Sequence, residues 1–195
     1  MSKQIVITVL AVAVVCFLIA IFTYGVTVPP GPPERDYGLW EFIMIDGFWH
    51  TNWQAGPTLY DIAFKYHPSD VEDLPVKGFQ PSDAFSGRQQ IYITFDLDTS
   101  PENIKHLAVA SADLNFNLYQ VLNKNVINAC LESVPGCEER PIMDCTPNKS
   151  VIKVMPHPEA MINITTPECV TLQGPGEDLG KAVSRLLYTW YGIIE

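Results

Sequence analysis

From Ile5 to Tyr24 the chain reads IVITVLAVAVVCFLIAIFTY, a run without a charge or a proline. Its twenty residues, wound as a helix rising about 1.5 Å per residue, span about 30 Å, the thickness of a bilayer's hydrocarbon core. Val, Ile, Leu and Phe occur on every side of that helix, whereas a core helix of such length keeps one polar face. The run therefore predicts a transmembrane helix over residues 5–25, in contact with membrane lipid. It is longer than the apolar part of a signal peptide, about 7–15 residues, and Thr23-Tyr24-Gly25 is a poor cleavage site. A retained anchor is expected. Lys3 is the one basic side chain ahead of the run, which places residues 1–4 in the cytoplasm and all that follows outside it.

The cysteines agree with that compartment. Apart from Cys16 within the run they are Cys130, Cys137, Cys145 and Cys169, an even set with no CxxC pair. Two disulfides in an oxidising compartment explain that spacing better than a zinc ribbon or a dithiol redox site. Four cysteines allow three pairings, and short loops close most easily, which favours Cys130–Cys137 with Cys145–Cys169. Each bridge would contribute about 2–4 kcal/mol by restricting the unfolded chain. Asn148-Lys149-Ser150 and Asn163-Ile164-Thr165 match the acceptor pattern for N-glycosylation. The chain has 22 acidic residues, all beyond the apolar run, against 12 basic ones and a formal charge of −10. Such a balance excludes a protein that tracks nucleic-acid phosphates.

Val28-Pro29-Pro30-Gly31-Pro32-Pro33 reads as polyproline II, so residues 26–36 are expected to be a semi-rigid stalk. Residues 37–90 follow as an aromatic-rich cap that reads mainly as loop. Between Tyr37 and Tyr66 lie nine Phe, Trp and Tyr residues, with Gly38, Gly47, Gly56 and Pro57 interrupting any period, and Thr58 to Tyr66 reads as a short helix. Trp40, Trp49, Trp53 and Tyr60 are the candidate binding residues here, since Trp and Tyr dominate contacts with glycans and proteins. The alternative is that these rings pack the cap onto the domain behind it, and this is the preferred reading.

Residues 91–195 read as a compact exterior domain. Ile91–Phe95 is a strand by composition. Thr99-Ser100-Pro101-Glu102 starts a helix running to about Asn123, with Glu102 placed to close a capping box on Thr99. Its apolar stripe is Ile104, Leu107, Ala108, Leu114, Leu118, Val121 and Leu122. Strands are expected near Val126–Cys130, Ser150–Met155, Met161–Thr165 and Cys169–Gln173. A terminal helix buries Leu179, Ala182, Val183, Leu186, Leu187 and Trp190 and stops at Gly192. The order β-α-β-β-β-β-α predicts an α+β fold, a two-layer sandwich with both helices on one face of a mixed or antiparallel sheet.

Phe95-Asp96-Leu97-Asp98-Thr99-Ser100, at the end of a hydrophobic strand, carries the sharpest chemical pattern. It resembles the first motif of the haloacid-dehalogenase-like phosphatases, Asp-x-Asp-x-Thr with Ser100 in place of the Thr. The resemblance implies a Mg²⁺-dependent phosphohydrolase with Asp96 as nucleophile and Asp98 as acid/base. In the stretch Gly174-Pro175-Gly176-Glu177-Asp178, Pro175 stands where that family's later metal-binding Asp is expected. The same residues 96–100 also read as a strand end and a helix cap, and this reading is preferred.

The remaining patterns carry less. Gly174-Pro175-Gly176 ahead of Gly180-Lys181 lacks phosphate-loop spacing, and Ala182 replaces the metal-binding hydroxyl. His50, His67, His106 and His157 include no pair at metal-ligand spacing. Glu138, Glu139 and Asp144 lack the pattern of a Ca²⁺ loop. No metal and no cofactor is expected. The sequence thus predicts a single-pass membrane protein with an extracytoplasmic C-terminal domain. It would act by binding a membrane or envelope protein partner, as an accessory subunit or interaction module, and not as an enzyme. The phosphohydrolase is one alternative; a filament subunit packed through its apolar N-terminal helix is another.

Overall fold

The computed structural model describes residues 12–16, 31–85, 87–97 and 99–195. It divides into two units, Met1–Pro32 and Pro33–Glu195. In the first, residues 12–16 are helical and Cys16 is unbridged. The rest of the expected membrane segment 5–25, residues 1–4 and most of the Pro-rich stalk lie outside the described residues. Among the described residues no helix is long and apolar enough to cross a membrane.

The second unit is a mixed α+β fold with two sheets and two α-helices. The expected loop-rich cap is corrected here, because residues 34–64 form a four-stranded antiparallel sheet in the order β1-β2-β3-β4. Its strands are β1 (Glu34–Tyr37), β2 (Trp40–Ile45), β3 (Phe48–Ala55) and β4 (Thr58–Phe64). The last replaces the short helix expected over 58–66, and the first begins inside the expected stalk. Each connection is a two-residue turn, closed by Tyr37↔Trp40, Ile45↔Phe48 and Ala55↔Thr58. Asp46 and Gly47 take φ +51° and +85°, the left-handed pair that matches a hairpin's twist. Gly56, at φ +58°, precedes Pro57 and starts the third turn in a conformation that favours glycine. The glycines that break the aromatic run are its turns.

The second sheet has six strands in the order β5-β9-β10-β8-β6-β7. They are β5 (Val76–Gly78), β6 (Gln90–Phe95), β7 (Asn125–Cys130), β8 (Val151–Pro156), β9 (Met161–Thr166) and β10 (Cys169–Gly174). The β6–β7, β6–β8, β8–β10 and β5–β9 pairings are parallel, and only β9–β10 is antiparallel. From β6 onward the expected element order holds. Helix α1 (Pro101–Phe116) crosses from β6 to β7, and α2 (Asp178–Trp190) ends the domain.

Local chemistry sets the helix ends. Ser100 caps α1, its Oγ accepting from Asn103 N–H, with Pro101 in the first turn. Because the cap is Ser100, Glu102 falls one residue short of the box position, and it pairs with His106 Nε2 at 3.3 Å. Past Phe116 the helix widens into a π turn over Asn117–Val121. At the end of α2, Gly192 N–H donates to Thr189 C=O and Ile193 N–H to Tyr188 C=O, the paired closure of a glycine-ended helix.

The expected two layers become three. Helix α2 packs on β10, β8 and β9 on one side, through Leu179, Ala182, Val183, Leu186 and Leu187, all nearly or fully enclosed. On its other side the small sheet closes over it: Tyr188 meets the rings of Phe42 and Phe64, and Tyr191 those of Phe64 and Trp53. Helix α1 lies beside α2 and buries Leu107, Ala110 and Leu114, with Leu118 buried in the π turn after it. Ile104 and Ala108, expected within the buried stripe, are exposed. Part of the far face of the six-stranded sheet is covered by the cysteine loop. Thr94 Oγ1 donates to Met143 C=O at 2.8 Å, and Tyr92, Ala129 and Val151 form a small apolar cluster with Ile127 and Met143. Both expected bridges, Cys130–Cys137 and Cys145–Cys169, close this loop, with Cα separations of 6.0 and 5.5 Å.

His67 lies wholly enclosed beneath the small sheet, edge-on to the rings of Phe42, Trp49 and Tyr37. Ser69 N–H donates to Nδ1 at 3.3 Å, and Nε2 faces Arg35 C=O at 3.4 Å. That pattern assigns the ring proton to Nε2. Burial lowers the imidazole's pKa below its ordinary 6.5, only partly offset by the Arg35 carbonyl. The unfolded chain therefore binds this proton at a higher pH than the folded one. His67's contribution to stability is complete above about pH 6.5 and is lost as pH falls below it toward the folded value. Urea unfolding at pH 7.5 and 5.5 should show the wild type losing stability toward pH 5.5 more steeply than His67→Gln.

Candidate functional site

Alternation along the small sheet divides its residues between two faces. Inward go Trp40, Phe42, Trp49, Thr51, Trp53, Tyr60, Ile62 and Phe64, all buried or half-buried. Four of these are the aromatics singled out for binding. Trp53 Nε1 donates to Tyr191 C=O at 3.0 Å, and its ring centroid lies 4.9 Å from that of Tyr191 and 6.1 Å from that of Tyr60. Trp49 covers His67 at 5.0 Å. Trp40, Trp49, Trp53 and Tyr60 all pack against the main core. In this structure they join the small sheet to the domain.

Outward go Glu41, Ile43, Ile45, Phe48, His50, Asn52, Leu59 and Asp61. Leu39 in the first turn is wholly exposed and Leu59 is 63% exposed; Ile45 and Phe48 are also exposed. A cleft of about 520 Å³ opens here, lined by Leu39, Trp40, Glu41, His50, Asn52 and Asp61, with Ile43, Ile45 and Thr51. Its origin is the pairing of the middle strands. The β2–β3 ladder runs from Ile45↔Phe48 to Ile43↔His50 and goes no further, whereas β3 and β4 pair from Trp49↔Phe64 to Ala55↔Thr58. On the face beside it, His50 Nδ1 lies 3.1 Å from both carboxylate oxygens of Asp61. That contact orients the imidazole and leaves Nε2 as its second polar position.

A second concavity of about 390 Å³ lies at the carboxyl end of the large sheet, lined by Thr99, Asn103, Pro156, His157, Pro175 and Gly176, with Pro158. Strand β6 connects outward to β7, and β8 leads the other way toward β9 and β10. Ligands of open α/β sheets collect at such a switch point. Asp96 directly follows β6, while Asp98 lies outside the described residues. Thr99 Oγ1 accepts from Asn103 Nδ2 at 2.8 Å, and His157 Nδ1 accepts from Glu159 N–H at 3.1 Å. Among the described residues no group of three or more His, Cys, Asp or Glu side chains is placed to hold a metal ion.

The other sequence candidates fall elsewhere. Asp178 pairs with Lys181 and Glu177 with Lys65. Asp144 bonds Lys153 Nζ at 2.8 Å, and that bond holds its carboxyl below the usual range. Glu138 accepts from Gly136 N–H. Asn148 lies on the exposed cysteine loop, whereas Asn163 sits mid-strand in β9 between β5 and β10. The outward residues of the small sheet escaped sequence reasoning, although Asp46-Gly47 between two alternating segments is a hairpin signal. No protein-family model matches the chain, and no curated protein and no solved structure matches it either.

Trp53→Phe keeps one aromatic ring but removes the half-buried hydrogen bond to Tyr191 C=O and part of the indole's packing, so it should cost about 1–3 kcal/mol. Trp53→Ala should cost about 3–5 kcal/mol. Chemical denaturation of the two variants checks this. Equal and negligible losses would remove Trp53 from the joint between the small sheet and α2.

Proposed function

We propose that the chain is a membrane-anchored binding protein of the cell exterior, an accessory subunit or envelope interaction module. Its contact surface is the outward face of the small sheet. One observation carries this reading: Leu39, Ile45, Phe48 and Leu59 point away from the core on a sheet whose other face is filled by α2 and His67. Leu39 and Leu59 stand at one end of that face and Ile45 and Phe48 at the other, and exposed apolar side chains along an unpartnered sheet face suit an interaction surface. The two disulfides support an oxidising exterior, and the apolar run 5–25 supports the anchor.

The test is site-specific photo-crosslinking in native membranes, with the reactive group at Phe48 or Leu59 and a control at Lys105. Discrete protein adducts from the sheet positions, lost in a Leu39→Asp/Ile45→Asp background that keeps its disulfides, are expected. Adducts that are the same from the control, or that survive the double change, would overturn the assignment of this face.

A second reading keeps one specific observation, the place of Asp96 at the switch point behind β6. There the resemblance implies that its carboxylate attacks a phosphate monoester. Added Mg²⁺ and an aryl phosphate should give no hydrolysis above background with the full chain. Hydrolysis by wild type that Asp96→Asn abolishes would replace the binding reading with the enzymatic one.

A further inference from the structure

The open cleft between β2 and β3 has a defined hydrogen-bonding character. The pair that closes a two-residue hairpin turn is hydrogen-bonded, and bonded and non-bonded pairs alternate beyond it. In β1–β2 the closing pair is Tyr37↔Trp40, so Asp36↔Glu41 is non-bonded; Met44 N–H donating to Pro33 C=O at 2.8 Å fits the same alternation. In β3–β4 the closing pair is Ala55↔Thr58, so Asn52↔Asp61 is non-bonded as well. The main-chain groups of Glu41 therefore face away from β1, and those of Asn52 away from β4. In a continued ladder they would bond each other two positions beyond Ile43↔His50, but the ladder stops before them. Two strand edges thus face one cleft.

Apart from His50, the ionisable side chains around that cleft are carboxylates. Asp36 and Glu41 stand directly opposite each other on the outward face, where non-bonded partners are closest. Like charges so placed repel. Both are exposed, and among the described residues neither has a cationic partner. Asp61, 64% exposed, adds a third carboxylate, which shares its charge with the neighbouring His50 ring. No Lys or Arg lines the cleft, while Leu39, Ile43 and Ile45 give it an apolar rim. Its volume lies within the range of ligand sites, about 300–1,000 Å³.

The geometry points to a basic, extended segment of a partner protein as the occupant, its backbone pairing with Glu41 and Asn52 and its Lys or Arg side chains meeting Asp36, Glu41 and Asp61. Extended peptides add to exposed strand edges in this way, the main chain giving affinity and alternate side chains giving selectivity. The inference rests on the reading of the small sheet as the contact surface, and it names the partner's chemistry.

The probe is an alternating Lys-Val octapeptide, blocked at both ends, with its Glu-Val counterpart as control. Binding to the full chain in neutral detergent is measured by calorimetry, and the bound region by amide hydrogen exchange. The basic peptide should bind, slow exchange at Glu41 and Asn52, and weaken by about tenfold or more with Glu41→Lys or Asp36→Lys. It should also weaken as salt rises from about 0.1 to 1 M. Exposed substitutions at these positions leave the packed face untouched, so the variants should keep the wild-type far-UV spectrum. No binding, equal binding of both peptides, or protection elsewhere would overturn the inference. The crosslinking experiment judges the parent reading separately. Adducts at Phe48 with no peptide binding would sink only the basic-strand occupant, while peptide binding without adducts would sink the membrane-partner reading and keep the cleft.

Discussion

Tyr188 is where the fold is tied together. It belongs to α2, is fully enclosed, and donates its hydroxyl to Tyr66 C=O at 2.6 Å, just past the end of β4. Its ring lies 4.2 Å from that of Phe64 and 6.0 Å from that of Phe42. Burial raises its pKa far above the ordinary tyrosine value, so the hydroxyl keeps its proton as a donor. The aromatic inner face of the four antiparallel strands needs a surface to bury against, and α2 supplies it. In return α2, already packed on the large sheet, is closed off from water on its second side.

The same logic explains the cysteine loop. A mostly parallel sheet is normally covered on both faces by helices. Here α1 and α2 occupy one face, and an irregular loop covers part of the other. Such a loop contributes few apolar side chains and many backbone polar groups, so packing alone holds it weakly. The bridges from Cys130 at the end of β7 and to Cys169 at the start of β10 fix it to the strands it covers.

Residues from Gln90 onward were legible because their signals are local. Ile91–Phe95 is β-branched and aromatic, Ser100-Pro101 starts a helix, and Gly192 ends one. The small sheet was not legible, for a physical reason. Its inner face carries Trp40, Phe42, Trp49 and Trp53, but its outer face carries Ile43, Ile45, Phe48 and Leu59, so the polar-apolar alternation of a half-buried strand is blurred. The stripe assigned to α1 was blurred in the same way at two positions: Ile104 and Ala108 are apolar and outward, while Leu107, Leu114, Leu118 and Val121 are buried as expected. The cleft was beyond sequence reasoning altogether. It depends on where the β2–β3 ladder stops, and no single residue type marks that point.

The place of β1 in the sheet has a mechanical consequence. Everything N-terminal to Pro33 connects through this edge strand, which has β2 as its single neighbour. A pull along the N-terminal chain is felt first by the Met44–Pro33 bond and then by the short ladder from Glu34↔Ile43 to Tyr37↔Trp40. Under a pull directed away from β2 these bonds load one after another, with the Arg35–Asp70 and Tyr37–Glu72 contacts beside them. Peeling β1 would draw Asp36 away from Glu41 while β3, β4 and the disulfide-closed sheet stay in place. Tension on the chain would therefore reach the outward face of the small sheet and, through the Arg35 carbonyl, the His67 ring beneath it.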